Sequence, residues 1–160
     1  MIKDINQIVE NKRIEIGFRD TEVADWIGLN ICWYCDIEWH EDEIGSTVSL
    51  GIVKKLFNVL RLDFFTMADI ECAFCVLGID YLSDFDLSRN QLIAKKRNEL
   101  GVFRDELGDR VNFYEVEIEK MEKDPDHLET WVIDNILLLA EVLAIPPQLL
   151  LGVKCENCRR

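Results

Sequence analysis

The chain has 160 residues, of which 49% are hydrophobic and 31% are charged, so it can bury one ordinary core. It contains only 3 prolines and 8 glycines, which excludes collagen-like and low-complexity classes and favours a helix-rich protein. The longest uncharged stretch, residues 142–153, is shorter than the roughly 20 residues that a membrane span needs. The first residues carry no apolar signal core, so we expect a cytoplasmic protein.

Charge is the strongest constraint on function. The formal net charge is −13, and residues 1–84 are more acidic (−9) than residues 85–160 (−4). Nucleic-acid affinity comes mainly from cations that displace condensed counterions, so this balance argues against a polyphosphate partner.

The predicted helices occur twice in chain order, because residues 12–27 align without a gap with residues 96–111, 84 positions later. In each copy a first helix ends at a glycine, a short second helix and a tight turn follow, and a third helix completes the motif. The inward positions are Val23, Ala24, Ile27, Tyr34 and Ile37 in the first copy, and Leu107, Gly108, Val111, Ile118 and Met121 in the second. Apolar helices over residues 48–60 and 128–143 complete the cores. The residue pattern over 68–88 predicts one apolar helix followed by an acidic connector.

These motifs resemble a known family of DNA-binding folds. Gly17 with residues 22–29 and 37–38, and Gly101 with residues 105–111 and 121–122, resemble the lambda-repressor-like (Cro/repressor, XRE-type) helix-turn-helix family. The resemblance implies an all-α fold of two tandem helix-turn-helix bundles joined by a helical connector. The implied boundaries are a first, degenerate domain at 1–67, the connector at 68–88, a second domain at 89–153 and a Cys-containing tail at 154–160. A tandem repeat of this kind can itself stand in for the family's usual dimer.

In this family the third helix enters the major groove and the start of the second helix contacts phosphate. The resemblance places no cation at those positions in the first copy, where Asp20 and Asp36 stand. In the second copy it implies DNA contacts by Arg104, Tyr114, Glu115 and Lys120, although Glu115 and Glu119 would repel phosphate.

The sequence therefore predicts a non-enzymatic binding protein, since it has no Gly-rich phosphate loop and no H-x-x-x-H motif. The acidic surface resembles that of an immunity or antitoxin-type protein that neutralises a basic toxin. The candidate protein contacts are Asp20, Trp33, Asp36, Trp39, Glu115 and Glu119, while Trp26 and Trp131 are expected to pack in the cores and residues 38–43 to form a solvated acidic loop. A DNA-binding transcriptional regulator that uses the second helix-turn-helix is the alternative.

All 6 cysteines occur in three C-x-x-C pairs, at 32/35, 72/75 and 155/158. Two such pairs can supply four thiolates to a tetrahedral zinc ion. A zinc site would join Cys155 and Cys158 either to Cys32 and Cys35 or to Cys72 and Cys75, the last pair also being typical of a buried helix face. Core thiols beside a metal-free tail are the other interpretation.

Overall fold

The computed structural model describes residues 1–77 and 87–155, and in this part of the chain the fold is all-α. The first half contains α1 (Ile5–Ile16), α2 (Asp20–Ile27), α3 (Ile31–Trp39), α4 (Glu43–Ser46), α5 (Leu50–Leu60), α6 (Phe64–Ala68) and α7 (Ala73–Leu77). The second half contains α8 (Arg89–Glu99), α9 (Arg104–Val111), α10 (Glu115–Lys123), a 3-10 helix (His127–Thr130), α11 (Ile133–Val142) and α12 (Pro147–Leu151). None of the described helices is long and apolar enough to cross a membrane.

The turns that end the helices explain why the two halves share one pattern. Gly17 ends α1 with a φ of 86°, and Gly101 follows α8 with a φ of 68°. Glycine adopts this left-handed conformation without steric cost, so it stops each first helix at the same place. The predicted inward residues of the second and third helices are all buried, which confirms the helical register of both copies.

The structural repeat extends beyond the aligned motifs. The last core helices α5 and α11 are followed by left-handed residues, Arg61 and Ala144, that lie 83 positions apart in the chain. The short helices α6 and α12 follow at the same offset, and each ends at another left-handed residue, Asp69 or Gly152. Each repeat therefore consists of three helices, a short helical turn (α4 or the 3-10 helix), a core helix and a short final helix.

The repeats pack against each other through equivalent elements. Ser49 and Val132, which precede α5 and α11, form an isolated antiparallel bridge, and the Leu50 N–H donates to the Trp131 carbonyl at 2.7 Å. Helix α4 contacts α11, and α5 contacts the 3-10 helix that corresponds to α4. Such reciprocal contacts define an approximate two-fold relation, as in an isologous dimer. Most buried apolar residues of both repeats accordingly form one continuous core, and Phe65, Cys72, Phe74 and Cys155 form a smaller cluster beside it.

The structure differs from the sequence prediction at two core segments. The apolar stretch 128–143 is interrupted because Trp131 and Val132 take extended backbone for the bridge, so α11 begins only at Ile133. The helix predicted from residue 68 is wrong, since left-handed Asp69 ends α6 and the next helix starts at Ala73. The acidic connector predicted over residues 80–86 lies outside the described residues.

Candidate binding faces and cysteine cluster

The outer face of α2 and α3 carries large exposed aromatic side chains. Trp33 is 61% exposed and Trp39 is 68% exposed. Trp26 is also exposed and stacks edge-on against Phe18 at 4.8 Å, so the prediction that it packs in the core is wrong. Large exposed aromatic side chains are typical anchors of interaction sites.

This first face is acidic, although Arg19 at the N-cap of α2 pairs with Glu22 at 3.1 Å and Arg13 of α1 pairs with Glu38 at 2.6 Å. Helix α2 carries Asp20, Glu22 and Asp25, α3 carries Asp36 and Glu38, and neither helix contains Lys or Arg. Asp20 and Asp36 are half-buried at the surface, whereas Glu38 is buried. The face therefore presents carboxylates beside tryptophan rings.

A cleft at the end of this face brings two of the predicted contact residues together. The cleft has a volume of about 200 Å³ and is lined by Trp33, Asp36, Glu43, Thr47 and Val48. An indole ring next to two carboxylates is a favourable environment for a guanidinium or ammonium group. Glu43 begins α4, and no local sequence pattern predicts that this helix turns back towards α3.

The corresponding face of the second repeat is also aromatic. Tyr114, immediately before α10, is 82% exposed, and Phe103 and Val116 are exposed beside it. Phe103 was not a predicted site residue. The first repeat has Arg19 at the equivalent position, so the alignment did not indicate an aromatic residue there. A shallow cleft of about 390 Å³ lies at the start of α9, and its lining residues include Arg97, Arg104 and Glu115.

The cations of the second face are held by carboxylates of the same chain. The Arg104 Nε donates to Glu122 at 2.6 Å, and this ion pair raises the pKa of Arg104 above its ordinary value. Lys120 donates to Glu117 at 2.7 Å, and Lys123 donates to Glu119 at 2.6 Å. These contacts lower the pKa of Glu117 and of Glu119. The groups proposed to contact phosphate are therefore neutralised locally.

A buried Arg–Glu ion pair connects the first and third helices of each repeat. Arg13 donates to both oxygens of Glu38 at 2.6 and 2.7 Å, and its third donor reaches the Phe18 carbonyl. In the second repeat Arg97 donates to Glu122 and to the Val102 carbonyl. Every partner in one repeat lies 84 positions from its counterpart in the other. The sequence interpretation placed Glu38 in a solvated loop, which is wrong because Arg13 draws its carboxylate into the interior.

The cysteines separate into two groups. The Sγ atoms of Cys72, Cys75 and Cys155 all lie within 4.8 Å of one another, an arrangement that could hold a metal ion. Cys32 and Cys35 lie on α3 and are not members of this group. Burial and the nearby Asp20 and Glu38 carboxylates raise the pKa of the Cys35 thiol, which disfavours the thiolate that a metal needs. Of the two pairings that the sequence left open, the structure favours the one with Cys72 and Cys75. Cys158 lies outside the described residues.

The two repeats thus define an all-α protein with two aromatic, acidic faces and one cluster of thiols. No family model, curated protein or solved structure matches the chain.

Proposed function

We propose that the protein is a non-enzymatic binding module on two repressor-like helix-turn-helix repeats, and that it binds a basic protein through the α2–α3 face. The observation that carries the proposal is the cleft in which Trp33 lies beside Asp36 and Glu43. The chemistry of this cleft fits an arginine or lysine side chain of a partner protein.

Charge complementarity supports a protein partner over nucleic acid. A net charge of −13 accelerates the encounter with a basic surface by electrostatic steering, and the same charge repels phosphate. Exposed tryptophans such as Trp33 and Trp39 supply the apolar contact area of the kind found at interface hot spots. An immunity or antitoxin-type protein that neutralises a basic toxin combines these two properties.

The face of the second repeat provides an additional acidic surface for the same partner. Glu115 and Glu119 lie on α10, and Tyr114, the residue immediately before this helix, is exposed. We expect this face to contribute less than the first, because Lys120 and Lys123 neutralise part of its charge.

The binding proposal is tested with purified basic proteins encoded by neighbouring genes as the probes. We expect one of them to bind the full chain, with an association rate that falls as salt increases. Trp33→Ala should weaken its affinity at least about tenfold, as expected for a hot-spot aromatic residue, and Asp36→Asn should slow association. Glu141→Gln, an exposed charge on α11, is the matched control. Equal affinity of the wild-type chain and Trp33→Ala for such a partner would contradict the proposal.

DNA binding by the second repeat is the alternative function, and the cleft that contains Arg97 and Arg104 is the observation in its favour. A gel-shift series with duplex DNA from the region upstream of the gene separates the two functions. Affinity that falls steeply with salt and is abolished by Arg104→Glu would favour the regulator. We expect no such binding, because the Arg104 guanidinium already forms an ion pair with Glu122.

A further inference from the structure

The cysteine cluster is built from equivalent positions of the two repeats. Cys72 follows the first repeat's final helix, α6, and Cys155 follows α12, the final helix of the second repeat. The two cysteines lie 83 positions apart, which is also the offset between those helices. Each repeat therefore ends in a C-x-x-C motif, and the approximate two-fold relation brings the ends together.

The sulfur geometry matches one tetrahedral metal ion. The Sγ atoms of Cys75 and Cys155 are 3.8 Å apart. Zinc–thiolate bonds of about 2.3 Å at tetrahedral angles place neighbouring sulfurs about 3.8 Å apart, whereas a disulfide requires about 2.05 Å. The same close spacing fits one ion better than a larger iron–sulfur cluster, in which the ligand sulfurs must surround several metal atoms.

A buried amide supports the cluster from α12. The Gln148 side chain is 2% exposed, and its Nε2 lies 3.6 Å from the Cys72 Sγ, to which it donates. Its Oε1 accepts a hydrogen bond of 2.7 Å from the Ala73 N–H. An amide that orients a ligand and donates to its sulfur is typical of the surroundings of a structural metal site.

We propose that Cys72, Cys75 and Cys155 bind one Zn²⁺ ion as thiolates. Three thiolates leave one position of a tetrahedral ion for a further ligand. Each coordinated thiol releases one proton as it binds, so three protons leave for one Zn²⁺ ion, with no change of oxidation state. The ion would cross-link the ends of the two repeats independently of any partner protein.

The test is elemental analysis of the full chain, produced without a histidine tag in zinc-supplemented medium and dialysed against metal-free buffer. We expect one zinc per wild-type chain and little zinc in Cys72→Ser, Cys75→Ser and Cys155→Ser. Cys32→Ser and Cys35→Ser are matched controls that should keep the full amount. Absence of zinc from the wild-type chain, or iron in its place, would overturn the proposal, as would zinc loss in the Cys32 and Cys35 controls.

Two further variants keep the test decisive if a serine variant fails to fold. Cys75 is exposed, so Cys75→His changes one ligand without opening the interior, and it should retain zinc because His nitrogen is also a common zinc ligand. Gln148→Leu keeps the volume of the side chain and should weaken zinc affinity by about tenfold, measured by competition with a chromogenic chelator.

Thiol reactivity gives a readout that does not depend on any variant. In the native wild-type chain, a strong chelator should increase the number of thiols that react with an aromatic disulfide reagent by at least three. Unchanged reactivity after chelation would contradict the proposal. Replacement of zinc by Co²⁺ should produce the intense visible absorption of tetrahedral cobalt thiolates, and a weak octahedral spectrum would also count against it.

Discussion

The two repeats use the same buried ion pair but complete it differently. In the first, Arg13 occupies both oxygens of Glu38. In the second, Arg97 takes one oxygen of Glu122 and Arg104 takes the other. The difference arises because Asp20 stands in the first repeat where Arg104 stands in the second. The ion pair that positions the third helix is retained, while the surface charge beside it is opposite in sign.

Removal of the shared carboxylate should have the largest effect on this comparison. The Glu38 and Glu122 side chains are only 6% and 4% exposed, so a buried guanidinium would lose its counter-charge. We expect Glu122→Gln to lower the free energy of unfolding by about 3 kcal/mol, and Glu38→Gln to lower it somewhat less because one arginine rather than two is affected. Urea unfolding of both variants measures this. Glu119→Gln, at the surface, should change stability by less than about 0.5 kcal/mol, and unchanged midpoints for all three would show that the pairs are dispensable.

The second largest difference in stability should come from the turn between α9 and α10, which approaches α9 closely at Gly108. A Cβ at Gly108 would lie 2.5 Å from the Phe113 carbonyl oxygen, which is backbone and cannot move aside easily. We expect Gly108→Ala to cost about 2 kcal/mol through overpacking. The first repeat already has Ala24 at this position, so Ala24→Gly should cost only about 1 kcal/mol, from helix propensity and lost burial. Thermal unfolding compares the two, and a stabilising Gly108→Ala would contradict the close approach.

The contact between the repeats should be weaker than either of these. Glu129 accepts from Lys54 of the first repeat at 2.6 Å and from Arg89 at 2.7 Å. We expect Glu129→Gln to destabilise the chain by about 1 kcal/mol, because these groups are only partly buried. Urea unfolding in low and high salt checks this, since the difference from wild type should shrink as salt screens the charges. A difference that is independent of salt would point to lost packing instead.

The smallest expected effect is a pH dependence that arises from Glu117 of the second repeat. Hydrogen bonds from Lys120 and then His127 lower the pKa of Glu117 below its ordinary value of 4.5. The contribution to stability is present above the unfolded-state pKa and is lost as pH falls through the lower folded-state pKa. Glu117→Gln should therefore flatten the acid limb of stability below about pH 4.5, as measured by urea unfolding at several pH values. The first repeat has Trp33 at this position, so it offers no equivalent titration, and an unchanged acid limb would argue against the contact.

Local sequence patterns predict much of the fold. The offset of 84 positions, the glycines after the first helices and the apolar spacing place the first three helices of each repeat correctly. The alignment of the two repeats also contains the ion pair, since Arg13 and Glu38 align with Arg97 and Glu122. Glu38 was nevertheless interpreted as part of a solvent-exposed acidic loop. Burial of that pair is decided by the packing of α1 on α3, which no local pattern reports.

The binding sites were less accessible to sequence reasoning. Trp33 and Asp36 were both predicted as protein contacts, and they line one cleft, but Glu43 joins them only because α4 folds back. The C-x-x-C spacing marked the cysteines, whereas the choice among pairs depends on where the final helices end. Gln148 carried no signal, because a single glutamine in an apolar helix is recognised as a ligand support only once Cys72 is beside it.

The glycines at the contact between the repeats have a consequence for how the chain can assemble. Gly45 of the first repeat faces the Asp134 carboxylate, and Gly51 faces Glu129. Glu129 and Asp134 are themselves the second repeat's counterparts of Gly45 and Gly51. Two copies of the second repeat, joined in the same way, would bring carboxylates against each other where glycine now leaves space. The second repeat therefore fits the first repeat better than it would fit a copy of itself, so the two contact surfaces are complementary rather than interchangeable.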